Sequence, residues 1–186
     1  MEYFYIEQIK AGDTFRFTYF VDTYKDMAFS IAFRILNNTE NAEEVVQDAF
    51  LKTYRSLHKF RQDAKFSTWL YKIVVNTALT KAKRNKAWAN ETALTDIGEI
   101  ATGQVEEAYR NLARWDRQKI INQALDQLNI EDRLLLTLYY LNENSIEEIT
   151  EITGVPRENI KMKLHRARKK MYLLLEKKLP DIQYIV

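Results

Sequence analysis

The sequence predicts an all-α fold of two small helical domains joined by a linker, and three observations predict it. Hydrophobic residues make up 46% of the chain and recur at three- and four-residue spacing, not in alternation. Only 4 Gly and 2 Pro occur in 186 residues, too few for a turn-rich all-β fold. Two stretches dense in apolar side chains, 14–87 and 116–178, flank one that lacks a sustained apolar stripe.

The first domain is expected over residues 1–87. One or two helices cover Thr14 to Leu36, with Phe17, Phe20, Val21, Tyr24, Ala28, Ile31 and Ile35 inward, and Asn37, Asn38 and Thr39 then make a turn. A helix from about Glu40 to Leu57 buries Ala42, Val45, Ala49, Phe50 and Thr53. Its opposite side shows Glu43, Glu44, Gln47, Asp48, Leu51 and Lys52. Acids early in a helix favour its dipole, so a structural role is the first explanation to beat. The polar, basic and aromatic stretch His58 to Ser67 follows. The last helix starts near Thr68, buries Trp69, Leu70, Ile73, Val74 and Ala78, and ends in the cationic run 81–86. Phe66 and Trp69 also read as core, because aromatics at helical spacing usually are buried.

Residues 88–113 hold two of the four glycines and more acidic than basic side chains, and are read as the linker. Trp88 and Trp115 are expected to dock its ends, and an apolar stripe resumes between Val105 and Leu112. The second domain, 114–186, carries a helix-turn-helix from Ser145 to Lys170. Ser145 and Glu148 form an S-x-x-E capping box, and Ile146, Ile149 and Ile152 give the first helix its apolar stripe. Gly154 supplies the turn, and Pro156 stands where a helix opens without needing its N–H. The second helix buries Ile160, Leu164, Ala167, Met171 and Leu174, and shows Arg157, Asn159, Lys161, Lys163, His165, Arg166, Arg168, Lys169 and Lys170 on its other faces. Such a helix fits a DNA major groove, with polar groups near its start on base edges and cations further along on phosphates.

Charge segregation supports that reading. The whole chain carries only +2, yet residues 116–156 hold 3 basic and 8 acidic side chains, while 157–178 hold 9 basic and 2 acidic ones. A sign change inside one small unit aims its field in one direction, as phosphate binding requires. A second nucleic-acid surface is suggested upstream, where Phe60, Arg61, Lys65 and Phe66 precede Lys72, Asn76 and the 81–86 cations. Aromatics stack on unpaired bases while cations track the backbone.

Other chemistries find little support. No cysteine is present, which removes disulfides and thiolate metal sites and suits a reducing cytoplasm. No basic segment precedes an apolar core at the N-terminus, and no apolar run reaches membrane-spanning length. A soluble cytoplasmic protein without membrane insertion, metal or cofactor is therefore expected. His58 and His165 are isolated, and no Gly-rich phosphate loop exists. A metal-dependent nuclease using Asp13, Glu43, Glu44, Asp48 or Asp63 is one alternative, but no spacing among them fixes an octahedral site. A conventional repressor or activator is another; it explains residues 145–170 but neither the basic-aromatic stretch nor the acidic helix face.

Three segments in order resemble bacterial sigma-70 family RNA polymerase sigma factors of the extracytoplasmic-function group. Residues 41–54, NAEEVVQDAFLKTY, resemble that family's acidic helix, and 66–76, FSTWLYKIVVN, its F-x-x-W-L segment. The stretch from Leu125 to Met171 resembles its promoter-reading domain and ends in Arg166-Ala167-Arg168. The resemblance covers about residues 14–176 and implies a non-enzymatic role in transcription initiation. It implies that Glu43, Glu44, Gln47, Asp48 and Leu51 grip core RNA polymerase. It assigns Phe60, Arg61, Lys65, Phe66, Ser67, Lys72, Asn76, Lys81, Lys83 and Arg84 to the −10 promoter element. It assigns Arg157, Glu158, Asn159, Lys161, Lys163, His165, Arg166 and Arg168 to the −35 element. Residues 88–113 would thread toward the polymerase active site, and an anti-sigma factor would be a further partner. Three positions depart from the family pattern: Ala42-Glu43-Glu44 keeps the usual charge, Val75 replaces a small residue as a packing adjustment, and Glu158, Asn159 and Met162 differ from the usual start of the reading helix, so the −35 sequence preference does not transfer. Glu158 repels a nearby phosphate unless it accepts from a cytosine amino group.

Overall fold

The computed structural model describes residues 2–89 and 119–176. All regular structure among them is helical, as the sequence predicts. Helix α1 (Glu2–Lys10) is an addition to the prediction: it buries Ile6 and Ile9, and the Tyr24 hydroxyl donates to the Glu2 carboxylate. Burial and that carboxylate push the Tyr24 hydroxyl pKa up. Gly12 then turns the chain with φ of +110°, a conformation that L side chains rarely adopt.

A 3-10 turn (Thr14–Arg16) leads into α2 (Phe17–Leu36), which buries Phe20, Ala28, Ile31 and Ile35 as predicted. Asn37, in the left-handed region at φ 50°, stops α2. Asn38 caps α3 (Thr39–Ser56) by accepting from the Asn41 N–H at 2.8 Å. All five side chains expected to face inward from α3 are buried. A second 3-10 turn (Leu57–Lys59) and a short loop precede α4 (Phe66–Ala89). These elements close on an aromatic knot in which the Phe20 and Phe66 rings lie 4.2 Å apart, and Phe60 and Trp69 5.0 Å apart.

In the second half, α5 includes residues 119–126. Asn129 caps α6 (Ile130–Leu136), which runs on into a π-helical turn (Thr137–Leu141). The helix-turn-helix follows as α7 (Ile146–Thr153) and α8 (Arg157–Glu176). Ile149, Ile152, Ile160, Leu164 and Ala167 are buried as predicted, whereas Met171 and Leu174 are only half-buried.

The two halves touch. Their buried apolar residues form one continuous cluster, with α2 packed on α6 and α4 on α7. The expected linker beyond Ala89 and the docking of Trp88 and Trp115 lie outside the described residues and side chains.

Candidate nucleic-acid and protein interfaces

The acidic face of α3 stands where the sequence places it. Glu43, Glu44, Gln47, Asp48 and Leu51 are all exposed, Leu51 by 53%. Tyr54, one turn beyond Leu51 on the same stripe, is also exposed and belongs to this surface. Its spacing from Leu51 carries the signal, which the sequence reading passed over. Apolar side chains framed by carboxylates suit a partner whose surface is basic and partly apolar.

The neighbouring face of α4 is cationic. Lys72, Asn76, Thr80 and Lys83 follow one another at four, four and three residues, all exposed, with Arg84 alongside. Lys81 is half-buried because its ammonium group pairs with Glu44 of α3. The acidic and basic faces therefore share an edge.

Residues 60–67 divide into a floor and a rim. Phe60 and Phe66 are buried, 5% and 1% exposed, and their faces are taken by Trp69 and Phe20. In this conformation they offer no stacking surface and instead hold the loop down, so the core reading of Phe66 stands and the expected stacking faces are not open. The rim is polar. Arg61 is exposed and 3.3 Å from Asp63, Gln62 adopts φ of 65°, Lys65 is exposed and Ser67 half-buried. A non-glycine residue held at positive φ marks a strained tip.

The helix-turn-helix forms by the chemistry its sequence predicts. The Ser145 hydroxyl accepts from the Glu148 N–H at 3.1 Å, and Glu148 accepts from the Ser145 N–H at 2.8 Å. Gly154 closes α7 at φ 73°. On α8, Arg157, Glu158, Asn159, Lys161, His165, Arg166 and Arg168 are exposed and Lys163 is half-buried. Three α8 cations are tethered to carboxylates of their own half: Arg157 to Glu147 at 2.9 Å, Lys163 to Glu131 at 2.5 Å and Lys170 to Asp132 at 2.5 Å. The tethers explain why charge segregates in sequence: the acidic helices lie beside the basic one.

Polar contacts also bridge the halves. Lys65, on the rim of the first basic surface, reaches Glu148 of α7 at 2.8 Å. Burial raises the Glu148 pKa, but the Lys65 ammonium and the Ser145 N–H outweigh it and hold the carboxyl below its usual range. The same bond raises the Lys65 pKa. At the other end of the contact, Arg34 of α2 donates to Asn122 at 2.5 Å and lies 3.8 Å from Asp126, which also faces Arg133 at 3.5 Å. Burial lowers the pKa of both arginines, with Asp126 opposing it.

The carboxylates of the nuclease alternative are dispersed. Asp13 pairs with Arg16, Asp63 with Arg61 and Glu44 with Lys81, and among the described residues no three acidic or histidine side chains converge. Among those residues no helix is long and apolar enough to cross a membrane.

Comparison with known proteins agrees with this arrangement. Residues 20–88 match the family model for Sigma-70 region 2, and residues 118–171 match Sigma-70, region 4. The chain is 32% identical to the ECF RNA polymerase sigma factor SigW of Bacillus subtilis (strain 168), covering 95% of this chain and 96% of that one. It belongs to the ECF sigma factors. The RNA polymerase sigma-H factor of Pseudomonas aeruginosa is 29% identical, with 88% of each chain covered. The fold matches a sigma factor RpoE solved with the anti-sigma factor NepR from Bartonella quintana, at a TM-score of 0.71 and 20% identity over 86% of this chain and 96% of that one. It also matches CnrH solved with the cytosolic domain of CnrY, at 0.68 and 20% identity over 94% and 96%. ECF sigma factors direct transcription initiation by RNA polymerase and are not enzymes.

Proposed function

We propose that this ECF sigma factor binds core RNA polymerase through the α3 face, reads a −10 element with the 60–67 rim and α4, and reads a −35 element with α8. The observation that carries this reading is the pair of cationic surfaces, one on each half, with an acidic and apolar docking face beside the first. Arg61, Lys65, Ser67, Lys72, Asn76, Lys81, Lys83 and Arg84 meet the first element, while Phe60 and Phe66 shape its floor. Arg157 to Arg168 meet the second, with Glu158 and Asn159 at the base-reading end of α8. Residues 88–113 join the two as the linker between domains 1–87 and 114–186. Joining two modest contacts raises the effective concentration of the second. The chain acts in the cytoplasm, and an anti-sigma factor is a further partner, as NepR is for the matched RpoE fold.

The test is reconstituted transcription with bacterial core polymerase on a pool of templates randomised upstream. Initiation from templates sharing two elements about two helical turns apart is expected. Failure to bind core, with palindromic sites bound by the protein alone, would identify a conventional regulator instead.

A further inference from the structure

Helix α1 has no part in the proposed function, and it lies outside residues 20–88, the span that matches region 2. It is nevertheless firmly seated. Ile6 and Ile9 are buried, the Tyr24 hydroxyl donates to Glu2, and the Tyr5 ring lies 4.6 Å from that of Tyr19 on α2. Helix α1 also packs on the 3-10 turn Leu57–Lys59, from which the 60–67 rim departs. There the Gln62 side-chain amide donates to the Glu7 carboxylate at 3.4 Å, and the Lys10 ammonium donates to the same oxygen at 3.2 Å. A bare carboxylate at this place would repel a nucleic-acid strand, and these two donors take up its charge.

Gln62 is the residue held at φ of 65°. That backbone conformation is unfavourable for any side chain with a Cβ, so it persists only where the surroundings hold it. Its neighbours Arg61 and Asp63 pair with each other at 3.3 Å, and the Gln62 amide ties the tip they form to α1. We propose that Glu7 is a positioning residue for −10 recognition: from α1 it holds Gln62 in the left-handed conformation and so presets the 60–67 rim before the promoter strand arrives. This rests on the reading of that rim as the −10 surface. A preset loop loses less conformational entropy on binding, which strengthens the contact. The rim's other flank is held by Lys65 to Glu148, a bond between the halves. The bond to Glu7 lies within the first half and survives any separation of the two.

Two readouts test this, the first without polymerase or DNA. In the free protein, Glu7→Ala is expected to speed trypsin cleavage after Arg61 severalfold at an unchanged thermal midpoint, since the Glu7 side chain is 63% exposed and alanine suits a helix. The substitution should add nothing in a Gln62→Ala background, because the bond is already gone. Glu7→Gln keeps an acceptor for the Gln62 amide and should be cleaved at the natural rate. Natural cleavage of Glu7→Ala, or equally fast cleavage of Glu7→Ala and Glu7→Gln, would overturn the proposal. The second readout is promoter opening with core polymerase, followed by permanganate reactivity of unpaired thymines on a template selected from the randomised pool. Glu7→Ala should lower it severalfold with polymerase binding intact, and Glu7→Gln should not. Stronger opening in both variants would reduce Glu7 to a charge that repels DNA and overturn the proposal. Opening unchanged in Glu7→Ala but reduced in Lys72→Ala would overturn it and leave the −10 reading standing. Opening unchanged in both would overturn the −10 reading as well.

Discussion

The two halves build their cationic surfaces by different means. In the first half Arg61, Lys65 and Lys81 are also paired with carboxylates, but the surface beneath them rests on aromatic packing: Phe60 and Phe66 lie under the 60–67 rim, and α4 is clamped between α2 and α3. In the second half the core is aliphatic, and α8 is held partly by charge, through Arg157, Lys163 and Lys170 to carboxylates on its neighbours. A packed surface keeps its shape when salt or a nucleic acid competes for its charges. On the proposed function, a tethered one would exchange each intramolecular partner for a phosphate on binding DNA.

The largest effect expected from this contrast is on stability. Phe66→Ala should cost about 3–5 kcal/mol, as for other large buried aromatics, read by denaturant unfolding. An unchanged midpoint together with failed promoter opening would show that the ring leaves the core to stack on a base. Next comes the α3 face, where Glu44→Lys or Asp48→Lys should weaken core polymerase binding roughly tenfold or more, about 1.4 kcal/mol. Stability should move by no more than about 0.5 kcal/mol, because both positions are exposed. Normal polymerase binding by both variants would reduce this face to solvated helix.

Most of the helix-turn-helix was legible in the sequence because its determinants are local. The Ser145–Glu148 box, Gly154 and Pro156 each act within a few residues, and all three do what their spacing predicts. Helix α1 escaped because it is short and its reasons are distant: Ile6 and Ile9 are buried only once the rest of the domain is present, and Glu2 meets Tyr24 across a turn. The π-helical turn at Thr137–Leu141 lies in a run of apolar residues whose periodicity marks no change. The burial of Phe60 was invisible for a related reason, since an aromatic beside cations reads as a stacking platform until the tertiary knot claims it. No pattern in the chain announces that Lys65 and Glu148 meet, because that contact depends on how the halves dock.

A smaller effect separates the two kinds of surface on α8 itself. Arg166 is exposed and makes no ion pair among the described residues, whereas Lys163 already has Glu131 as a partner. Arg166→Ala should lower promoter affinity and reduce the slope of log K against log salt by about 1. Lys163→Ala should reduce the slope less, because binding there replaces an internal partner and releases less counterion. Equal slopes for the two variants would show that the Lys163–Glu131 tether has no bearing on DNA binding.

The smallest effect is the most specific to the contact between halves. Glu148 serves both as the capping-box acid of α7 and as the partner of Lys65, and Glu148→Gln separates the two roles, since glutamine also completes a capping box. The Glu148 pKa is depressed in the folded chain, so its contribution is complete at neutral pH. It is lost only as the pH falls below the ordinary carboxylate range and through the depressed value. Between neutrality and pH 5 the distance between a dye pair on α4 and α8, read by energy transfer, should therefore stay constant. Below that range it should lengthen in the natural chain. In the Glu148→Gln variant this part of the pH response should vanish, and the longer distance should be more populated at neutral pH. An identical profile in both chains would show that the apolar contacts of α2 with α6 and of α4 with α7 hold the halves together unaided, and that Lys65 is available to DNA from the outset.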